Sequence, residues 1–302
     1  MKILLAGGSG FIGRAIEKYF STKGHSVSVL SRSPQRSTDV YWDSKTIGDW
    51  TSTLKDSDVL INLTGKSVDC RYTPSNKKEI LRSRIDSTAV LHEALAQENH
   101  SVKLFVNASS ATIYEHSLHR PNTETNGVVG SDFSMDVVRA WEKTFFDTPT
   151  SNMRKVALRM SIVLGTEGGA YPTMRQITRL GLGGHQGSGK QMVSWIHIGD
   201  TVRAIEHIIH HKELEGPINV TSPTPVSNSQ FMATVRAACG QTFGLSQPKW
   251  ILESGAFFLR TETELLLKSR YVLPDKLLSS GFSFTYDNIH SCLQTIENKR
   301  IK

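Results

Sequence analysis

The start of the chain contains glycines at the spacing of a pyrophosphate-binding site. Gly7, Gly10 and Gly13 follow the apolar run Ile3-Leu-Leu5, and apolar residues then recur at helical spacing. Gly7 would permit a tight turn, Gly10 would let the backbone approach phosphates, and Gly13 would let the helix pack on the strand. The unpaired N–H groups of the helix would face the anion. No Walker lysine follows this glycine turn, so we predict a dinucleotide rather than a mononucleotide here.

An arginine follows the second predicted strand, which spans 26–31. Sites for NAD usually have Asp or Glu there, to accept hydrogen bonds from the ribose hydroxyls. Here the residues are Ser31-Arg32-Ser33. The planar, permanently charged guanidinium of Arg32 suits a 2′-phosphate, so we predict NADP(H) rather than NAD(H). The alternative is that Arg32 stacks on adenine or faces water.

The elements that position these residues alternate along the chain, which predicts an α/β fold with a Rossmann-type, doubly wound parallel sheet. We expect strands at 40–42, 58–65, 104–108, 156–160, 193–198 and 218–220, and helices at 76–98, 135–146, 200–211, 228–240 and 253–268. Residues 1–165 would form the NADP-binding domain, whose core also receives the strands near 193–198 and 217–220. Residues 166–302 would form a lid and a smaller C-terminal substrate-side domain, with the glycine-rich stretch from Gly165 as the mobile part.

Composition limits the classes of function. With 38% hydrophobic and 21% charged residues, the 302-residue chain is typical of a globular, ordered protein. No apolar run reaches the roughly 18 residues of a membrane span. Its 3 cysteines are scattered, which favours a reducing compartment and a cytoplasmic location. The formal charge of +7 comes from dispersed residues, so we expect no nucleic-acid partner, although the charge suits an anionic cofactor or substrate.

Two local patterns imitate other sites. Residues 184–190 fit the start of a P-loop, but Gln191 replaces the required Ser or Thr and a strand is expected to follow instead of a helix. His207, His210 and His211 lie near one helix C-terminus, where histidines interact favourably with the helix dipole. Metal sites need ligands on one face plus a third group, often a carboxylate, and no HExxH motif is present, so we predict no metal site.

Longer motifs carry a resemblance over nearly the whole chain. The chain resembles the extended and atypical short-chain dehydrogenase/reductases, and within them the YfcH-type epimerase-family proteins. The matching motifs are GGSGFIG, LINLTG, ILRSRIDST, LRMSIVLG, GLGG…GSGKQMVSWIHIGD, INVTSPTPVSN and LLLKSRYVLPDKLLSSGFSF. The later motifs are the specific ones, because many unrelated proteins share the glycine turn.

The resemblance implies a catalytic serine but not the usual proton relay. Ser110 matches the serine that hydrogen-bonds the substrate oxygen, whereas Ser134 and Val138 stand where the superfamily has Tyr and Lys. Tyr114 is our candidate for a replacement acid, and its alternative role is packing in the substrate wall or loop. Asp132, His116, His119 and Arg139 are weaker candidates.

Position and resemblance together predict the cofactor contacts. The turn after the fourth strand would lie beside the adenine and ribose, and Arg84 belongs to a Ser-Arg pair of the family. The predicted cofactor-binding residues are Gly7, Ser9, Gly10, Phe11, Ile12, Gly13, Ser31, Arg32, Leu63, Thr64, Gly65, Arg84, Ala108 and Ser109. The resemblance also implies a possible homodimer through the helices at 76–98 and 135–146.

Two functions remain open from the sequence. The first is an NADP(H)-dependent oxidoreductase or epimerase-like enzyme acting on an unidentified small polar substrate. The second is a non-catalytic NADP(H)-binding redox sensor or regulator, with cell division as one candidate process, which keeps the cofactor site and lacks the proton relay.

Overall fold

The computed structural model describes residues 1–97, 99–150, 153–250, 252 and 267–301. Its strands are β1 (Lys2–Ala6), β2 (Ser26–Ser31), β3 (Asp39–Tyr41), β4 (Val59–Asn62), β5 (Leu104–Ser110), β6 (Arg154–Met160), β7 (Ile162–Leu164), β8 (Met192–Val193), β9 (Trp195–His197), β10 (Gly216–Val220) and β11 (Val226–Ser227). A seven-stranded sheet has the order β10-β6-β5-β4-β1-β2-β3, and every pairing in it is parallel. This confirms the predicted fold class.

Helices follow most of these strands. They are α1 (Phe11–Thr22), α2 (Pro74–Gln97), α3 (Phe133–Asp147), α4 (Tyr171–Ile177), α5 (Ile198–His210), α6 (Asn228–Ala238), α7 (Asp275–Ser279) and α8 (Ile289–Ile301). Short 3-10 helices span Asp49–Asp56 and Ala111–Ile113, and a π-helix spans Thr178–Leu182. The helix predicted at 253–268 falls almost entirely outside the described residues.

Alternation along the strands divides the core between the two faces of the sheet. One face, with Ile3, Leu5 and Val29, packs against α1 and α5. The other face, with Leu4 and Leu60, packs against α2, α3 and the 49–56 helix. Successive side chains of a strand point to opposite faces, so strands that are apolar throughout are buried on both sides.

Two cations at the start of β6 bind one helix C-terminus each. Arg154 donates to backbone carbonyls at the end of α5, including that of Ile208 at 2.9 Å. Lys155 donates to the carbonyls of Phe145 (3.0 Å) and Thr148 (2.6 Å) at the end of α3. Unpaired carbonyls and the negative dipole end make these helix termini favourable positions for cations. The pair therefore ties both helical layers to the sheet.

The later part of the chain builds a third core. Tyr171, Trp195, Phe231 and Leu293 pack together there. The strand predicted at 193–198 is wrong in detail, because β8 pairs with β11 and β9 pairs with β7 outside the seven-stranded sheet. Ser194 separates β8 from β9, and its buried hydroxyl donates to the carbonyl of Arg270 at 2.8 Å. The strand predicted near 217–220 does join the large sheet, beside β6.

The glycine-rich stretch is anchored where we expected a mobile lid. Gln186 and Asn228 exchange hydrogen bonds in the interior, at 2.8 and 3.1 Å. The Gly187 N–H donates to the carbonyl of Gln247 at 2.8 Å. Buried amides that are fully paired rigidify a segment. At Gly184 the glycine reflects close packing, since a Cβ there would lie 2.4 Å from the backbone of Leu245, whereas Gly181, Gly187 and Gly189 have positive φ angles.

Candidate functional site

The glycine turn lies between β1 and α1, and each predicted glycine has a distinct environment. Gly7 has φ +79°, and a Cβ there would lie 2.9 Å from the carbonyl carbon of Leu63. A Cβ at Gly13 would lie 2.6 Å from the Cα of Gly8, so helix and turn touch backbone to backbone. A Cβ at Gly10 would meet only the Gly7 carbonyl, at 3.7 Å. The space above Gly10 is therefore open, at the N-cap of α1.

The other predicted residues of the turn differ in their exposure and packing. Ser9 is exposed and Ile12 packs against the sheet core. The side chain of Phe11 packs against the loop that follows β7. A Cβ at Gly165 would lie 2.6 Å from it, and a Cβ at Gly168 would lie 2.8 Å from it. Those two glycines are explained by this contact, which sequence reasoning missed.

The loop after β4 borders the turn. The Leu63 N–H donates to the carbonyl of Ala6 at 2.8 Å, and the Thr64 N–H donates to the Asn62 side chain at 3.0 Å. Asn62 in turn donates to Asn107 of β5 at 2.8 Å, which couples the ends of the two strands. The Thr64 hydroxyl is buried and has no hydrogen-bond partner among the described residues. A buried, unpaired hydroxyl costs free energy until a ligand satisfies it.

Arg84 projects from α2 onto the same loop. A Cβ at Gly65 would lie 3.2 Å from its Cζ, and its Nη1 donates to the carbonyls of Lys66 (3.1 Å) and Ile80 (2.9 Å). Its guanidinium also lies 5.1 Å from the ring centre of Trp141. Burial lowers the pKa of Arg84 to about 10. Within the described residues no carboxylate pairs with it, so this is a desolvated cation suited to an anionic ligand.

The end of β2 presents one paired and one unpaired arginine. Arg36 forms ion pairs with Glu17 and Asp39. Arg32 is exposed and, in the part of the chain that the structure describes, makes no ion pair. Ser31 accepts a hydrogen bond from the Ser33 N–H at 3.1 Å, which shapes the turn. Arg32 therefore remains available to a ligand at this strand end.

Ser110 ends β5 with its hydroxyl oriented by Thr112. Its Oγ accepts hydrogen bonds from the Thr112 N–H (3.2 Å) and the Thr112 hydroxyl (2.9 Å). Two accepted bonds occupy the oxygen lone pairs, so the Ser110 proton is free to be donated elsewhere. Thr112 was not identified from the sequence, although its place two residues after Ser110 could have suggested it.

The neighbouring residues of β5 face the interior. Ala108 and Ser109 are buried. The Ser109 hydroxyl donates to Glu142 at 2.5 Å. Any cofactor contact from these two predicted residues would therefore use their backbone.

Tyr114 is enclosed in the protein. Its ring is 1% exposed, and its hydroxyl accepts from Arg159 Nη1 at 2.8 Å and donates to Asn219 Oδ1 at 2.9 Å. Burial raises the pKa of Tyr114, and Arg159 opposes that shift only in part. A hydroxyl with both partners inside the protein has little capacity to protonate a substrate. The geometry favours the packing role of Tyr114 over the role of acid.

A buried ion pair supports Tyr114 and Ser109 together. Arg159 of β6 binds Glu142 of α3 through two hydrogen bonds, at 2.8 and 2.7 Å. Both side chains are about nine-tenths buried. Sequence analysis missed this pair, although an arginine inside the apolar run of β6 was a usable signal, since buried arginines are almost always paired.

The positions of the absent Tyr and Lys face inward on α3. Ser134 and Val138 are buried, and the Ser134 hydroxyl has no hydrogen-bond partner among the described residues. Asp132 caps α3 by accepting the Met135 N–H at 2.9 Å and pairs with Lys268. Burial acts to raise the pKa of Asp132, but these hydrogen bonds outweigh it and hold the pKa below its usual value. Asp132 is therefore ionised near neutral pH.

The other weaker candidates for the acid either have a hydrogen-bond or ion-pair partner or are exposed to solvent. His116 accepts the Ser269 N–H at 2.9 Å, and Arg139 pairs with Asp136. His119 is exposed. None of these contacts directs a side chain towards Ser110.

The histidines at the two ends of α5 have structural contacts. His197 caps α5, accepting the Gly199 N–H at 2.9 Å, and its ring lies 4.0 Å from that of Tyr286. His207 and His211 stack with ring centres 3.6 Å apart near the end of α5. Over the described ranges, no three His, Cys, Asp or Glu side chains form a metal-binding cluster. The helices in those ranges include none that is long and apolar enough to cross a membrane.

Two family models match separate parts of the chain. The model of the NAD dependent epimerase/dehydratase family matches residues 3–135, and a domain of unknown function (DUF1731) matches residues 247–296. A nucleoside-diphosphate sugar epimerase from Corynebacterium glutamicum is 26% identical with a TM-score of 0.79; the match covers 99% of this chain and 58% of that one. UDP-N-acetylglucosamine 4-epimerase from Bacillus cereus, 18% identical with a TM-score of 0.77, shares the fold.

Two relatives match over their full lengths. The human epimerase family protein SDR39U1, crystallised with NADPH, is 30% identical with a TM-score of 0.90, and the match covers 99% of each chain. The epimerase family protein YfhF of Bacillus subtilis is 32% identical, with 98% of each chain covered. The predicted resemblance is thereby confirmed, and this chain belongs to the epimerase family that these relatives represent.

Proposed function

We propose that this protein binds NADP(H) and catalyses an oxidoreductase or epimerase-like reaction on a small polar molecule. The observation that carries the proposal is the Ser110 hydroxyl, whose oxygen accepts two hydrogen bonds from Thr112 and whose proton is free. A serine held in this way can donate to a carbonyl or hydroxyl oxygen of a substrate as charge develops there.

The residues present fit the cofactor. A dinucleotide would bind at the glycine turn and at the ends of β2 and β4. The space above Gly10 is open at the turn. At the strand ends, the Thr64 hydroxyl has no hydrogen-bond partner and Arg32 has no ion-pair partner among the described residues. The NADPH in the structure of human SDR39U1 supports NADP(H) as the dinucleotide. When bound, the cofactor supplies or accepts a hydride.

This chain would contribute binding and orientation to the reaction. The α1 N-terminus would hold the pyrophosphate, Arg84 would balance anionic charge, and Ser110 would fix the substrate oxygen. None of the described side chains discussed above is assigned the role of the missing tyrosine. The homodimer expected from the resemblance stays a prediction.

Turnover with a mixed substrate pool tests the enzyme. The protein and NADPH are incubated with a metabolite extract, NADPH oxidation is followed by absorbance, and products are identified by mass spectrometry. We expect turnover that Ser110→Ala abolishes and Thr112→Val reduces, while NADPH affinity stays unchanged. Ser52→Ala, at an exposed serine of the 49–56 helix, is the matched control and should keep full activity.

A redox sensor is the second candidate function. It is favoured by the enclosed hydroxyl of Tyr114 and by Ser134 and Val138 at the dyad positions. Tight NADPH binding without turnover in broad substrate pools would support the sensor and contradict the enzyme. Activity lost specifically in Ser110→Ala would exclude it.

A further inference from the structure

Three arginines belong to α1 and to the end of β2, where a 2′-phosphate is expected, and they differ in the carboxylates that already pair with them. The inference drawn from them rests on the proposed NADP(H) binding. A cavity of about 940 Å³ is lined by Ser9 of the glycine turn, by Arg14 of α1 and by Ser31, Ser33 and Arg36 at the end of β2; Arg32 lies between Ser31 and Ser33 but is not part of this lining. A 2′-phosphate carries close to two negative charges at neutral pH, so its site needs a positive surplus.

Arg36 cannot supply that surplus. Its guanidinium binds Asp39 through Nε (3.1 Å) and Nη2 (2.7 Å) and also pairs with Glu17. Two carboxylates for one guanidinium leave this corner of the cavity negative. Arg32 would bring the sum over these side chains only to neutrality, and the other charged side chains that line the cavity, Lys18, Lys299 and Glu167, add one net positive charge, which leaves a dianion undercompensated.

Arg14 is the remaining guanidinium, and α1 aims it at the turn. It lies in the first turn of the helix, is exposed, and donates from Nη1 to the Ser9 carbonyl at 2.6 Å. Helical side chains point back towards the N-terminus, which explains how the side chain reaches Ser9. No carboxylate pairs with it within the described residues, so its other N–H donors are available.

We propose that Arg14 and Arg32 together clamp the 2′-phosphate, and that Arg14 is a determinant of specificity for NADP(H) over NAD(H). Arg32, exposed between the cavity-lining Ser31 and Ser33, would bind the phosphate from the end of β2, and Arg14, which lines the cavity, would bind it from α1. Guanidinium groups bind phosphate oxygens through parallel, charge-assisted hydrogen bonds, which a neutral ribose hydroxyl cannot match.

Fluorescence titration of NADPH and NADH tests the clamp. Loss of one charge-assisted contact should raise the Kd for NADPH about tenfold in Arg14→Gln and in Arg32→Gln, with the Kd for NADH changed less than about twofold. Arg14→Lys should retain part of the preference. Lys18→Gln removes an exposed cation one helical turn further along α1, in the same cavity, and should leave the preference within about threefold. Competition by adenosine 2′,5′-bisphosphate should weaken in Arg14→Gln, whereas competition by 5′-AMP should not.

The outcomes separate the clamp from the proposed function. A wild-type protein that binds neither dinucleotide overturns the proposed function, and equal affinities overturn its NADP(H) assignment. A wild-type preference for NADPH that survives in Arg14→Gln overturns only the clamp. Equal loss of NADPH and NADH affinity in Arg14→Gln also overturns it, because Arg14 would then act by shaping the turn at Ser9.

Discussion

Arg159 and Glu142 form a two-point ion pair in the interior, with N–O distances of 2.8 and 2.7 Å, between β6 and α3. The same carboxylate accepts the Ser109 hydroxyl, and the same guanidinium donates to Tyr114. One ion pair therefore holds the end of β5 and the segment that follows it. Its effect on the site is indirect, through the position of the strand that carries Ser110.

Breaking this pair should destabilise the protein strongly. Glu142→Gln leaves a buried guanidinium without its counter-charge, and we expect the free energy of unfolding to fall by about 3 to 5 kcal/mol in urea denaturation. Asp136→Asn, at the exposed pair with Arg139, should change it by less than about 1 kcal/mol. Glu142→Leu combined with Arg159→Met should recover part of the loss, and no recovery would argue against an uncompensated charge as the cause.

The glycines of the turn should separate folding from ligand binding. Gly10 has φ −75° and open space at its Cβ, so Gly10→Ala should keep the melting temperature of the free protein and weaken NADPH binding. Gly13→Ala would place a methyl group 2.6 Å from Gly8 and should lower both. Thermal melts with and without NADPH measure the two effects. Unchanged NADPH affinity in Gly10→Ala would mean that the phosphates do not cross this backbone.

Replacing Arg84 should lower the melting temperature of the NADPH-bound protein more than that of the ligand-free protein. Its buried charge lacks a carboxylate partner among the described residues, so Arg84→Gln removes a desolvation cost together with two backbone hydrogen bonds. We expect little change in the melting temperature without ligand and a smaller upward shift on adding NADPH. Arg82→Gln, at an exposed position of the same helix, is the control. An NADPH shift as large as that of the wild type would remove Arg84 from the cofactor site.

Stability should fall in mild acid because His197 is buried in its neutral form. Burial, assisted by Lys299, lowers its pKa to about 4, against about 6.5 in the unfolded chain. The unfolded chain thus gains a proton first, so stability is full above about pH 6.5 and is lost as the pH falls towards 4, by up to roughly 3 kcal/mol.

His197→Asn tests this dependence, since an asparagine oxygen can accept the same N–H at the α5 N-cap. Urea denaturation at several pH values should show a shallower loss of stability in the variant between about pH 6.5 and pH 4. Identical slopes for variant and wild type would assign the acid sensitivity to other groups.

The sequence by itself determined the features that local spacing encodes. The glycine turn, the strand that precedes it and the helix that follows occupy consecutive residues, so their geometry depends on short-range backbone constraints. The fold class followed from the alternation of strands and helices, because parallel strands need crossover connections, which are usually helical. The resemblance then placed Ser110 correctly at the end of β5.

The tertiary structure alone decided which side chains are already occupied. Tyr114 meets Asn219, which is 105 residues further along the chain, so its spacing from Ser110 gave no indication that its hydroxyl is enclosed. The sequence alone does not distinguish Arg14 from Arg36. Among the described residues, Arg36 forms ion pairs with two carboxylates and Arg14 forms none. Charge compensation and burial depend on residues brought together by folding, and no local pattern records them.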